Sequence, residues 1–235
     1  MVGRGRDRAV RLFRNPLRGC AGVALGPLRL TCAARPLERN ASTKARMTDH
    51  DQYFRYLLKR SKLGHLYRTY WLYPRLVRRL RGKTLDIGCG IGDMLAFRPQ
   101  TTGVDVNEHT LRFCRERGLE AHLMVPDVLP FADMSFDSVL LDNVLEHIEV
   151  PAPLLAEVRR VLVPGGRFLV GVPGQRGWQS DPDHKVMYDE GSLRTTVERA
   201  GFRSVEVLHT PIGKSSLLDR KLRQYCLYGL FEVSR

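Results

Sequence analysis

From Lys83 onward the chain alternates short apolar runs with amphipathic stretches. The runs Thr84–Ile87, Thr102–Asp105, Ala121–Met124, Ser138–Leu141, Phe168–Val172, Ser204–His209 and Tyr225–Phe231 have the length and periodicity of strands. Thr110–Arg117, Pro153–Val161 and Ser192–Ala200 carry apolar residues at helical spacing, and Gly166 and Gly201 follow the last two as helix-end signals. Strand and helix in alternation predict an α/β fold: a doubly wound seven-stranded sheet, mostly parallel, with helices on both faces. No long helical pattern separates the last two strands, so they are expected to pair as an antiparallel C-terminal hairpin.

The pattern before Lys83 is different. Residues 52–81 read QYFRYLLKRSKLGHLYRTYWLYPRLVRRLR, with aromatic and leucine positions interleaved with Arg and Lys and breaks at Gly64 and Pro74. This spacing predicts two or three short basic helices that pack through Tyr56, Leu63, Tyr67, Tyr70 and Trp71. The alternative is a lid that meets an anionic substrate or the surface of a membrane. Residues 1–46 show no sustained period and are expected to form a basic, unstructured extension. It reads as a presequence, a disordered arm, or translated upstream sequence with Met47 as the start. The chain thus divides into the extension 1–46, a helical cap over 47–82, and a catalytic domain over 83–235.

Charge sharpens this division. The net charge of +13 comes from 38 Lys/Arg against 25 Asp/Glu. Eleven Lys/Arg against two acidic residues lie in 1–46, and ten against two in 47–84, while 85–235 holds seventeen against twenty-one. The body is slightly acidic, and the cationic excess leads it, where it can meet an anionic surface. No apolar run approaches the roughly 18–20 residues of a membrane span. Five cysteines, at 20, 32, 89, 114 and 226, lack metal-binding spacing and read as reduced thiols of a cytoplasmic protein. If 1–46 is a presequence, the compartment becomes the mitochondrial matrix.

Candidate chemistry clusters at the ends of the expected strands. In TLDIGCGIGDML, Gly88, Gly90 and Gly92 form a loop where open α/β sheets bind ligands. The spacing G-x-G-x-G departs from the dinucleotide fingerprint, and no GK[ST] follows, which excludes a P-loop. Asp86 precedes the glycines. A carboxylate there is a poor neighbour for a pyrophosphate and a good one for an ammonium or sulfonium. Asp105, in GVDVN, is placed to accept both hydroxyls of a ribose, with a helix N-cap as its other reading. Asp127 and Val128 follow the third strand, where a side chain and a backbone N–H can frame an adenine. Asp142 and Asn143 end the fourth strand and face the cleft.

Taken in order, LDIGCGIGDML, GVDVN, DVLPFADMSFDSVLLDNVLEHI, LLAEVRRVLVPGGRFLVGVP and ERAGF resemble the class I S-adenosylmethionine-dependent methyltransferases, in the branch acting on small molecules and lipid- or sugar-linked acceptors. The resemblance covers roughly residues 80–210 and implies a Rossmann-like fold with S-adenosylmethionine as cofactor. It also implies that Asp86, Gly88, Gly90 and Gly92 surround the methionine portion, that Asp105 holds the ribose and that Asp127 and Val128 frame the adenine. Asp142 or Asn143 would lie near the sulfonium. Only nine residues separate Gly92 from Thr102, so the first helix must be short.

Methyl transfer to a hydroxyl also needs a general base. His184, in WQSDPDHKVMYDE, and His147, in LEHI, are the candidates, and Tyr188 could orient an acceptor. Some quinone-type O-methyltransferases resembling this chain use a metal-assisted variant, which here would draw on Asp142, Glu146 and His147. Those residues have ordinary helix roles, and no metal is expected. An RNA methyltransferase is the alternative within the same chemistry, and a non-catalytic S-adenosylmethionine-binding protein the alternative outside it.

Overall fold

The structure, a computed structural model, describes residues 41–59 and 61–234. The extension expected over 1–46 lies outside them except for its last six residues, which open the first helix. The cap consists of α1 (Ala41–Leu58), α2 (Lys62–Tyr67), a π-helical turn (Arg68–Leu72) and α3 (Tyr73–Val77). The body then runs β1 (Thr84–Ile87), α4 (Asp93–Phe97), β2 (Thr101–Asp105), α5 (Glu108–Glu116), β3 (Ala121–Leu123) and β4 (Phe136–Asp142). It continues through a 3-10 turn (Leu145–His147), α6 (Ala152–Val161), β5 (Leu162–Pro173), α7 (Gln175–Trp178), α8 (Glu190–Arg199), β6 (Phe202–Thr210), α9 (Ser216–Lys221) and β7 (Cys226–Val233).

The seven strands form one sheet in the order β3-β2-β1-β4-β5-β7-β6. All neighbours from β3 to β5 are parallel, and β7 runs antiparallel to both β5 and β6. β1 is buried at all four positions, as a central strand covered on both faces must be. On β4, β5 and β7 side chains alternate between the two faces. Val139, Leu141, Phe168, Val170, Leu227 and Phe231 join α6 and α8 in one core. Leu140, Leu169, Tyr228 and Leu230 join Leu72, Tyr73 and Leu76 of the cap and Met94 of α4 in the other. Each fully buried aliphatic or aromatic side chain here contributes roughly 1.5–3 kcal/mol relative to exposure.

Local sequence explains the boundaries. Asn107 caps α5, accepting from the His109 N–H at 3.0 Å. Asp189 and Ser192 form a capping box on α8. β5 begins directly after α6, so Gly166 lies inside a strand and does not cap a helix; the β4–β5 register shifts between Phe136 and Ser138 to absorb the irregular start.

The cap departs from expectation in its packing. Tyr67 is the one residue of the expected set that packs inward. Tyr56, Leu63, Tyr70 and Trp71 are exposed. Across the π-helical turn the inward stripe steps five residues, from Tyr67 to Leu72, which turns Tyr70 and Trp71 out; Tyr56 and Leu63 lie ahead of it, Leu63 on a helix that buries no residue. Leu72, Tyr73 and Leu76 then reach the core, and Tyr70 and Trp71 face out.

Candidate active site

The chain moves outward from β1 to β2 and β3, then returns to β4 on the other side of β1. This switch point opens a crevice at the carboxyl ends of β1, β2 and β4. Gly88 and Gly92 take φ of +73° and +78°, and an added Cβ would lie 2.5 Å from Val144 Cγ2 at the first and 2.7 Å from Leu119 Cδ1 at the second. The Gly88 and Cys89 N–H groups both donate to the Val104 carbonyl, at 2.8 and 3.0 Å, which ties the loop to β2. Gly90 completes it: its N–H donates to the Asp105 carboxylate at 2.9 Å, and Leu57 of α1, almost fully buried, lies over it. Cys89 and Cys114 are buried free thiols, with the Cys114 thiol donating to the Gly90 carbonyl at 3.3 Å.

Three carboxylates end the three strands. Asp105 accepts from the Gly90 and Asn107 N–H groups, 2.9 Å each. Burial raises its pKa, and these backbone bonds partly offset the rise. Asp142 accepts from the Tyr228 hydroxyl and the Asn143 side-chain amide, both at 2.8 Å. Asp86 is buried and has no side-chain hydrogen bond among the described residues. Burial pushes its pKa well above the carboxylate range, and the charges of Asp142 and Asp105 add to the rise.

Asp127 and Val128 sit in a turn after β3. Asp127 has φ of +60°, and the Val128 N–H donates to the Val125 carbonyl at 3.2 Å, so it is engaged within the turn. Asn143 is exposed with φ of +55°, and its backbone N–H holds the Gly171 carbonyl at 2.9 Å.

A second cluster lies just past β4. Lys185 and Val186 donate their N–H groups to the Glu146 carbonyl, at 2.7 and 3.0 Å, and so fold the loop after α7 onto the 3-10 turn. His184 and His147 meet edge to face, with ring centroids 4.6 Å apart. His184 Nδ1 lies 2.8 Å from the Trp178 carbonyl, and His147 Nδ1 3.3 Å from the Asp183 carbonyl. A carbonyl only accepts, so both Nδ1 atoms carry the proton and both Nε2 atoms present lone pairs when the rings are neutral. His184 Nε2 lies 3.8 Å from Glu146 Oε1. Neither Glu146 oxygen has a hydrogen-bond partner among the described residues, nor does the Trp178 indole N–H. Burial pushes the Glu146 carboxyl up to about 8, and burial and the His184 charge hold His147 below the usual histidine range. Ligating atoms of Glu146, His147 and His184 all lie within 4.8 Å of one another, so this trio is where a divalent ion would sit. Bond lengths of roughly 2 Å require closer ligands, and the trio would have to contract around an ion.

Structural comparison decides the fold. A methyltransferase from Thermotoga maritima, described as S-adenosylmethionine-dependent and possibly a histamine N-methyltransferase, superposes with a TM-score of 0.64 at 20% identity, over 80% of this chain and 100% of that one. The fold is that of the S-adenosylmethionine-dependent methyltransferases. Residues 85–170 match the family model described as a methyltransferase domain. A probable S-adenosylmethionine-dependent methyltransferase of Mycolicibacterium smegmatis is 32% identical over 150 residues, 58% of each chain. A ubiquinone/menaquinone biosynthesis C-methyltransferase of Desulfotalea psychrophila is 35% identical over 96 residues, 37% of this chain and 39% of that one. The chain spans about half the length of the curated relatives it matches.

Within this methyltransferase fold, Asp86, Asp105, Asp142 and the glycines share one edge, and His147 and His184 converge beside it. Glu146, expected only in a metal-assisted variant with Asp142 and His147, is grouped here with His147 and His184, and Leu57 joins the site without having been a candidate. Glu146 was visible as an acidic residue inside the apolar run VLEHI. Nothing in the sequence brings Leu57 to the glycine loop.

Proposed function

We propose that the chain transfers a methyl group from S-adenosylmethionine to an oxygen of a small-molecule, sugar- or lipid-linked acceptor. The carrying observation is Asp86: a buried carboxylate without a side-chain hydrogen bond among the described residues, beside two other carboxylates and a glycine loop. Bound there, S-adenosylmethionine supplies an electrophilic methyl group on a cationic sulfonium. The three carboxylates favour that cation, the glycines allow close approach, and Leu57 excludes water. Asp105 orients the ribose, and Asp127 and Val128 border the adenine. At the acceptor end, the His184 Nε2 lone pair takes the hydroxyl proton, with Glu146 and His147 around it.

Titration calorimetry of the full chain with S-adenosylmethionine tests the donor site. Binding in the micromolar range is expected, and no heat at about 1 mM ligand overturns the reading. His184→Gln is expected to lower turnover by about 10²–10⁴-fold with donor affinity unchanged, and full turnover removes His184 as the base. The C-methyltransferase relative supports a second reading, transfer to carbon. Mass-spectrometric location of the methyl in the product separates the two.

A further inference from the structure

We propose that α2, the π-helical turn and the loop after β6 form a docking surface for an anionic lipid bilayer. The proposal rests on the reading of a lipid-linked acceptor and gives that acceptor a route to the site. On α2 and the π turn, Leu63, Leu66 and Tyr70 are exposed, Leu63 at 79% and Tyr70 at 74%. Their inward counterparts, Tyr67, Leu72 and Tyr73, already pack against the sheet, so these outer side chains are surplus to the core. The Trp71 indole N–H donates to the Pro211 carbonyl at 3.1 Å, which holds the loop after β6, with Ile212 78% exposed, against the π turn. Tyr56 and Leu58, at the end of α1, are exposed as well.

Charge names the occupant. Residues 52–83 hold ten Lys/Arg and no Asp/Glu. Some of these serve the body: Arg79 pairs with Glu206, Arg68 lies 3.9 Å from Asp93, and Arg75 covers the Trp71 ring at 3.5 Å. Lys59 and Lys62, exposed between Leu58 and Leu63, have no ion pair among the described residues. Aliphatic and aromatic side chains flanked by cations match the boundary between headgroups and acyl chains of an anionic leaflet. Nucleic acid would reward the cations and the rings but leave Leu58, Leu63, Leu66 and Ile212 without an apolar phase. A second copy meeting this face about a two-fold axis would set like charges against each other.

The test uses the full chain and co-sedimentation with vesicles of phosphatidylcholine alone or mixed with phosphatidylglycerol. Wild type is expected to bind the mixed vesicles at least about tenfold more tightly than the neutral ones. The double variant Leu63→Ser/Tyr70→Ser is expected to lose about tenfold or more on mixed vesicles, and Lys59→Gln/Lys62→Gln several-fold, with unchanged thermal midpoints. Equal binding by wild type and Leu63→Ser/Tyr70→Ser overturns the proposal, because the basic extension common to both would then carry the affinity. It is also overturned if the same variant abolishes binding to single-stranded RNA while vesicles are ignored, or if it dissolves a concentration-dependent dimer. Vesicle binding is read without donor or turnover, so its failure is distinct from a failure of the calorimetric test.

Discussion

The two ends of the crevice hold buried carboxylates that answer opposite needs. At the donor edge, Asp86 is raised by burial and then by two further carboxylates, Asp142 and Asp105. The relief for such a site is a bound cation. At the acceptor end, Glu146 is raised chiefly by burial, and its neighbours are two imidazoles with their lone pairs free. The relief there is a proton that can be held or passed. In the proposed function one edge fixes a charge and the other moves one, and a few residues of β4 and the 3-10 turn connect them.

The largest expected effect lies in the loop that makes the donor edge possible. Gly88→Val places a branched side chain at φ of +73° and a Cβ 2.5 Å from Val144 Cγ2. The left-handed backbone costs roughly 1–2 kcal/mol and the clash a similar amount. Calorimetry is expected to show no S-adenosylmethionine binding in a chain that still folds with a lowered denaturation midpoint. Binding at wild-type strength would mean that the donor does not approach this loop.

Asp86→Asn separates charge from shape. Donor affinity is expected to fall by about 10- to 100-fold, since a cation loses a desolvated partner. Stability at neutral pH is expected to rise, because the variant removes a buried charge repelled by Asp142 and Asp105. Loss of affinity together with loss of stability would instead make Asp86 a structural group.

The donor edge was legible because its parts are local. TLDIGCG places strand, carboxylate and loop within a few residues, and the parallel sheet follows from alternation alone. The cap was not legible, because a π-helical turn shifts the inward stripe by one residue and periodicity assumes an unbroken helix. That shift put Tyr70 outside, and Leu63 is exposed on a helix that buries no residue, where the sequence placed both in the core. The acceptor end joins residues nearly forty positions apart through two backbone hydrogen bonds to the Glu146 carbonyl. Glu146 and His147 are neighbours in sequence, but His184 reaches them only because the loop after α7 folds back onto the 3-10 turn.

The smallest expected effect on donor affinity, and the one that most directly contrasts the two ends, belongs to Glu146, whose signature is a pH slope in stability. Glu146 has an unfolded pKa near its model-peptide value of 4.5 and a folded value of about 8. A carboxyl raised in the folded state binds more protons there than in the unfolded chain, so stability falls as pH rises between those values. One proton corresponds to at most about 1.4 kcal/mol per pH unit across that window. Glu146→Gln is expected to flatten this part of the profile of denaturation free energy against pH, leaving stability near its acid-side level up to about pH 8. Donor affinity should stay within about twofold, since Glu146 lies at the other end of the crevice. Asp86→Asn should flatten part of the same profile and weaken the donor as well. If Glu146→Gln weakens the donor as much as Asp86→Asn does, the two carboxylates serve one ligand, and the division between a charge-fixing and a proton-moving end fails.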